Sequence, residues 1–351
     1  MGRFEHAVSI RLHRFFVILP GTVKARAPGG GIAQKTPGLI DILWKRTVMT
    51  NFRKLGVYLG TLGAMFFWGV SFVWTKIVFQ YYGPFTTLLF RLAISAVFLN
   101  LYAKFTGRGE RVDRKDWPMF LLLAFLEPFC YFIGESLGLL RVSSTLASIM
   151  IGLIPVVSPF FAYMVYREKL SMVNTAGLVF SFLGLAVFTT TGDSRLEAST
   201  AGLLFLLFAV ISAVGYSLVV KRMSHRYRPL TIVRIQNTVG GFYFLPLVLG
   251  FELGDTLAVD PPTHVILDLV MLAVFGSSLA FIFITVAIRE LGIGRTNIFT
   301  NIIPVVTAIT AYLMLGETFT LRKTIGMAII ISGIFLSQVR KRARAAVIHE
   351  R

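Results

Sequence analysis

Ile154-Pro-Val-Val-Ser-Pro-Phe-Phe-Ala-Tyr-Met-Val-Tyr-Arg-Glu168 and Ile303-Pro-Val-Val-Thr-Ala-Ile-Thr-Ala-Tyr-Leu-Met-Leu-Gly-Glu317 are two copies of one pattern. At a constant offset of 149, residues 154–184 align with 303–333 without a gap and share ten identities over 31 positions. The pairs are Ile154/Ile303, Pro155/Pro304, Val156/Val305, Val157/Val306, Ala162/Ala311, Tyr163/Tyr312, Glu168/Glu317, Thr175/Thr324, Gly177/Gly326 and Gly184/Gly333. Hydrophobic bias alone does not reproduce Pro, Gly and Glu. Weaker matches join Gly69 and Ser71 to Gly215 and Ser217, and Pro84 and Thr86 to Pro229 and Thr231.

Outward from this repeat the chain reads as apolar runs joined by short connections. A helix needs about 20 apolar residues to cross the hydrocarbon core. Ten spans are predicted: 56–78, 84–104, 117–140, 143–166, 171–190, 200–220, 230–250, 265–288, 295–315 and 322–339. The fold class is therefore all-α integral membrane, with ten transmembrane helices in two five-helix repeats, 51–192 and 193–339. Five is odd, so the second repeat enters the membrane from the opposite side. Inverted repeats give two near-equivalent packings around a shared interface, a construction typical of secondary transporters.

Composition agrees. Of 351 residues, 55% are hydrophobic and 15% charged, against about a quarter charged in a soluble domain. The net charge of +18 does not point to nucleic acid, because the Lys and Arg sit in short loops between apolar runs. The even-numbered connections and the tail after span 10 hold 18 Lys or Arg, and the odd-numbered connections hold 4. That bias places both termini in the cytoplasm and the protein in the cytoplasmic membrane. Arg322 and Lys323 are the exception. The lone Cys130 permits no intrachain disulfide.

Residues 1–50 are basic and contain Pro28-Gly-Gly-Gly; their apolar piece from Phe15 is too short to span. Three readings stand: a disordered N-terminal extension, translation starting at Met49, or a basic anchor on anionic lipid. Residues 340–351 read as a basic cytoplasmic tail.

An ordered set of motifs resembles the EamA-type members of the drug/metabolite transporter superfamily. It comprises Phe67-Trp-Gly-Val-Ser-Phe, Phe90-Arg-Leu, Ser144-Thr-Leu-Ala-Ser, Ile154-Pro-Val through Arg167-Glu-Lys-Leu, Asn301-Ile-Ile-Pro-Val, Leu315-Gly-Glu and Gly326. The resemblance covers about residues 56–339. It implies ten helices, a central cavity between the halves, and movement of small metabolites by alternating access. It implies no particular substrate. Glu135 departs from the family pattern, which is usually apolar or small there.

Charges inside spans are expensive and are candidates for function. Glu127, Tyr131 and Glu135 stand at i, i+4 and i+8 in span 3 and so share roughly one face. Arg91 in span 2 falls at a similar depth to Glu135. The expectation is an Arg91–Glu135 ion pair, with Glu127 left to exchange a proton or hold a substrate ammonium. The alternative is one structural network of all three. In the second half Gln236, Gly276 and Ile284 stand at or near the corresponding positions. Gln236 and Asn237 on span 7, and Asn297 and Asn301 on span 9, are either substrate-binding amides or bonds between helices. Trp68 and Trp74 either wall the cavity or pack. Pro155 and Pro304 sit mid-span at equivalent places and are hinge candidates.

The sequence contains no phosphate loop, no His-Glu-x-x-His and no Gly-x-Ser-x-Gly, so a membrane-embedded enzyme is the lesser alternative and ATP-driven pumping by this chain alone is not expected. No cofactor or metal is expected. No filter-like loop suggests a channel. The expected function is secondary transport of a small metabolite, an amino acid or similar, with protons as a candidate coupling ion. The alternative is export or exchange of organic cations. Its partners are then a small-molecule substrate and the lipid bilayer, and either a monomer or a homodimer is compatible with two complete halves.

Overall fold

The structure is a computed structural model that describes residues 39–158, 172–189, 199–318 and 320–338. The expected basic tail 340–351, the Arg167-Glu168-Lys169 cluster, Arg195 and most of the N-terminal extension lie outside these residues. The chain divides between Thr50 and Asn51, and the site below belongs wholly to the second unit.

The described residues form helices α1 Leu39–Val78, α2 Pro84–Phe105, α3 Arg114–Leu139, α4 Ser144–Ser158, α5 Met172–Thr189, α6 Thr200–Ser224, α7 Pro229–Ala258, α8 Thr263–Leu291, α9 Ile293–Leu315 and α10 Leu321–Gln338. Among the described residues, seven helices are long and apolar enough to cross a membrane: α1 over Lys54–Val78, α2, α3, α6, α7, α8 and α9. α1 begins at Leu39, inside the segment expected to be disordered. No Gly or Pro stands between Gly38 and Gly56 to stop it.

Helix starts follow local chemistry. Pro84 and Pro229 occupy first turns, where the missing N–H would have no partner anyway. Ser143 and Ser199 cap α4 and α6 by accepting from Leu146 N and Gly202 N. Large apolar side chains such as Phe66, Leu101, Phe180, Phe208, Phe242 and Leu313 are exposed on the outer surface, as a lipid-facing shell requires.

Small residues set how closely the helices pack. A Cβ added at Gly134 on α3 would lie 2.5 Å from Phe205 O on α6, so only glycine fits there. α5 and α10 approach in the same way. A Cβ at Gly184 would lie 2.7 Å from Ile330 N and 2.9 Å from Gly326 O. One at Gly333 would lie 2.6 Å from Ser181 N and 2.9 Å from Gly177 O. Rising numbers on α5 meet falling numbers on α10, so the pair is antiparallel. The contacts also exchange: 184 meets 326 and 330, while 333 meets 177 and 181. These are the positions that the offset of 149 equates.

Wide, π-type turns open α7 at Val248–Glu252 and, as a matched pair, α3 at Phe125–Cys130 and α8 at Leu272–Leu279. The offset of 149 places the α3 and α8 segments opposite one another. In α3 the cause is Pro128, which lacks an N–H and disfavours helical backbone at the residue before it. Glu127 accordingly leaves the helix, with φ −150 and ψ 121.

Candidate functional site

The widened turn of α3 meets a cavity enclosed by α1, α2, α3, α4, α6, α8 and α9. Its polar groups include Arg91, Glu127, Glu135, Tyr131, Tyr216 and Asn297. Apolar walls come from Phe72, Phe132, Ile151, Phe281, Ile284 and Ile303, with Trp68 at one side. About 60 Å³ is open to the centres of water molecules. At about 10–15 Å³ per water, that is room for roughly four to six waters or a small solute.

Glu127 reaches the cavity because the α3 helix breaks at it. Its residue is 6% exposed, and among the described residues its carboxylate has no hydrogen-bond partner. Tyr131 and Glu135 lie past the break on the regular helix Tyr131–Leu139. There the i, i+4 spacing brings them together, and Tyr131 OH donates to Glu135 Oε1 at 2.9 Å.

Arg91 is 2% exposed and points across to α8. Its Nε donates to Ser277 Oγ at 2.5 Å, and its guanidinium stacks on the Phe132 ring at 4.3 Å. Gly276 makes room for it: a Cβ there would be 3.3 Å from Arg91 Nη2. The expected Arg91–Glu135 ion pair is not formed, since no salt bridge within 4.0 Å joins them among the described residues. Ser277 and the gap at Gly276 draw the guanidinium to α8 instead, with its face on the Phe132 ring of α3. Arg91 and both carboxylates nonetheless line one cavity.

The widened turn of α8 frees backbone carbonyls, and neighbouring helices use them. Trp68 Nε1 donates to Gly276 O at 3.1 Å. Asn237 Nδ2 donates to Ser277 O at 2.8 Å and to Ser95 Oγ at 2.7 Å, while Ser95 and Ser278 join at 2.6 Å. Trp68→Phe removes one such donor and leaves a buried carbonyl without it. A loss of about 1–3 kcal/mol is expected, read as a lower melting temperature of the purified protein, with no change on Trp74→Phe.

The structure thus brings Arg91, Glu127, Tyr131, Glu135, Trp68 and Asn297 into the cavity. It leaves four other candidates outside. Trp74 packs against the small core of Val78, Val265, Leu269 and Leu272. Asn237 ties α7 to α2 and α8. Asn301 is buried in α9 away from the lining, and Gln236 acts at one remove by accepting from Tyr216 OH at 3.1 Å. Pro155 and Pro304 are buried in α4 and α9 beside the cavity-lining Ile154 and Ile303. Sequence reading missed Tyr216, Thr296, Ser71 and Ser217 on the lining. Ser217 and Ser71 had a signal, since the repeat equates them.

The sequence profile of the EamA-like transporter family matches residues 55–190 and again 200–338. The chain belongs to this family. Several other proteins resemble it over most of their length. An uncharacterized transporter of Archaeoglobus fulgidus is 24% identical over 277 residues, 79% of this chain and 96% of that protein. The uncharacterized transporter YvbV of Bacillus subtilis is 23% identical over 280 residues, 80% of this chain and 90% of that one. A chloroplastic WAT1-related protein of Arabidopsis thaliana is 24% identical over 281 residues, 78% and 67% of the two chains. A solved crystal structure superposes with a TM-score of 0.62 over 81% of this chain and 98% of its own, at 16% identity, which shows the shared fold alone.

Proposed function

We propose that this EamA-family chain is a secondary transporter of a small amino-bearing metabolite, an amino acid or similar, across the cytoplasmic membrane. The observation that carries the reading is the Glu127 carboxylate. It is buried, faces a cavity and has no hydrogen-bond partner among the described residues. A charge so placed is costly unless a counter-charge or proton arrives. A substrate ammonium supplies one, and a coupled proton supplies the other.

Transport proceeds by alternating access between two inverted five-helix repeats, 51–192 and 193–339, with both termini cytoplasmic. Three features support this reading. The family profile matches twice. The exchanged glycine contacts between α5 and α10 are what a two-fold axis in the membrane plane produces. The widened turns of α3 and α8 fall at equivalent positions. Pro155 and Pro304, buried at equivalent places in the repeat, serve as hinges. Half one supplies the charges, and half two supplies Gly276 as the space that receives Arg91.

A second reading, export of organic cations, is favoured by the aromatic lining of Trp68, Phe72, Tyr131, Phe132, Tyr216 and Phe281 around the carboxylates. Proteoliposomes containing the full chain separate the two. Amino acids are expected to exchange with a labelled amino acid inside, with saturation, and lipophilic cations are expected not to compete. Competition by lipophilic cations with no amino-acid exchange selects the second reading. Exchange of neither class sinks both.

A further inference from the structure

Several helix pairs bridge the halves of the molecule, and carboxylates tie two of them. The first is α2 with α7. Glu252, in the last part of α7, accepts from Phe85 N at 3.2 Å and Thr86 N at 2.7 Å, the first turn of α2. Thr86 and Thr256 hydroxyls join beside it at 2.7 Å. At the other end Glu110, just after α2, accepts from Arg228 N at the start of α7 at 3.0 Å. Beside it Asp116, at the start of α3, accepts from Arg226 Nη1 at 2.6 Å and Tyr227 OH at 2.5 Å in the turn before α7. The pair is therefore tied at both ends of the membrane.

The second pair is α4 with α9, and both helices line the cavity. Gly152 faces Pro304 near its middle, where an added Cβ would be 3.3 Å from Pro304 Cγ. Gly316 ends α9 with φ 67, a left-handed conformation that favours glycine and that turns the chain back. The turn delivers Glu317 to the first turn of α4. Its carboxylate accepts from Ser144 N at 2.8 Å, Thr145 Oγ1 at 2.7 Å and Thr145 N at 3.4 Å. An anion at a helix N-terminus meets unpaired N–H groups and the positive end of the helix dipole, so this contact is strong and directional.

We infer that Glu317 is a latch on one mouth of the cavity. Its carboxylate holds the start of α4 to the end of α9, and the cavity opens at that end only when Ser144 and Thr145 are released. The Glu252 contact on α2 is the comparison, since it ties a helix pair to which α4 and α9 do not belong. Under the proposed topology the latched mouth is the external one, so the inference rests on the transport reading above.

The test needs no substrate. Ser217 lines the cavity from α6, so Ser217→Cys in a Cys130→Ser background reports access to a membrane-impermeant maleimide. Right-side-out and inverted vesicles of the full chain read the two mouths separately. Glu317→Gln is expected to raise the external labelling rate about tenfold, the effect of losing one hydrogen bond to a charged group. Thr145→Val removes only the hydroxyl and is expected to act in the same direction with smaller size. Glu252→Gln is expected to leave the rate unchanged. Unchanged external labelling in both Glu317→Gln and Thr145→Val overturns the latch while leaving transport standing. An equal rise in Glu252→Gln overturns the assignment of the latch to the α4–α9 pair. Labelling from neither side in any variant overturns the cavity as a transport path, and the latch with it.

Discussion

Glu127→Gln is expected to remove binding of amino-bearing solutes and, at the same time, to raise the melting temperature of the empty protein. Both effects come from one observation. The carboxylate is buried beside a cavity, and among the described residues nothing donates to it. Truncating one partner of a buried charge pair costs about 2–5 kcal/mol, or roughly 30-fold to several thousand-fold in Kd. In the empty protein the same group is a liability, because a charge held among apolar walls costs more than a neutral amide in the same place. An amide of the same shape relieves the charge without opening a void. The two changes have opposite signs, which a simple folding defect does not produce. Functional groups held at a cost to stability behave this way.

Glu135→Gln provides the contrast. Its carboxylate already accepts from Tyr131 OH, and the amide oxygen can accept the same bond. Its effect on both binding and melting is expected to be smaller. The measurement is a melting curve with and without a saturating amino-bearing solute, on wild type and both variants. If Glu127→Gln keeps the ligand-induced shift of the wild type, the carboxylate does not meet the solute and the site lies elsewhere.

The positions of the helices were legible in the sequence because an apolar run of about 20 residues has few alternatives to a spanning helix. The offset at which Pro, Gly and Glu recur also equates the glycines that meet between α5 and α10. The break in α3 was also written there and was passed over. Pro128 disfavours helical backbone at Glu127, so a continuous span 117–140 was never consistent with it. The shared face expected for Glu127, Tyr131 and Glu135 therefore has two causes. Register brings Tyr131 to Glu135, and the break brings Glu127 to both.

Other choices were beyond any single-chain pattern. A polar residue in a span has two solutions, the cavity or a neighbouring helix. Asn237 took the second because the widened turn of α8 freed the Ser277 carbonyl. Arg91 declined Glu135 because Gly276 left room on α8. Trp68 and Trp74, six residues apart, fall on different faces of α1, so one reaches the lining and the other a separate core. In each case the outcome depends on a neighbour distant in sequence.

Gly184→Ala and Gly333→Ala are each expected to lower the melting temperature, by similar amounts, and neither is expected to be rescued by trimming its neighbour. The added Cβ at Gly184 meets Ile330 Cγ1 at 2.7 Å, and Ile330→Ala would clear that atom. It also meets Ile330 N at 2.7 Å and Gly326 O at 2.9 Å, and no side-chain substitution moves those. At Gly333 the obstacles include Ser181 N at 2.6 Å and Gly177 O at 2.9 Å. In both cases α5 and α10 must separate along their whole contact. Overpacking of this kind costs about 1–3 kcal/mol, and larger side chains cost more. Membrane helices have little hydrophobic drive to associate, so close packing at small residues carries much of their affinity. Gly138 on α3 is the control. Its added Cβ meets Leu206 Cγ and Cδ2 at 2.5 and 2.8 Å, with the Gly202 carbonyl further off at 3.1 Å. Gly138→Ala should therefore be partly rescued by Leu206→Ala. The near-equality of Gly184→Ala and Gly333→Ala is the sharper demand. Two unrelated contacts would have no reason to cost the same, whereas positions that each press on a backbone nitrogen and a glycine carbonyl of the partner helix have one.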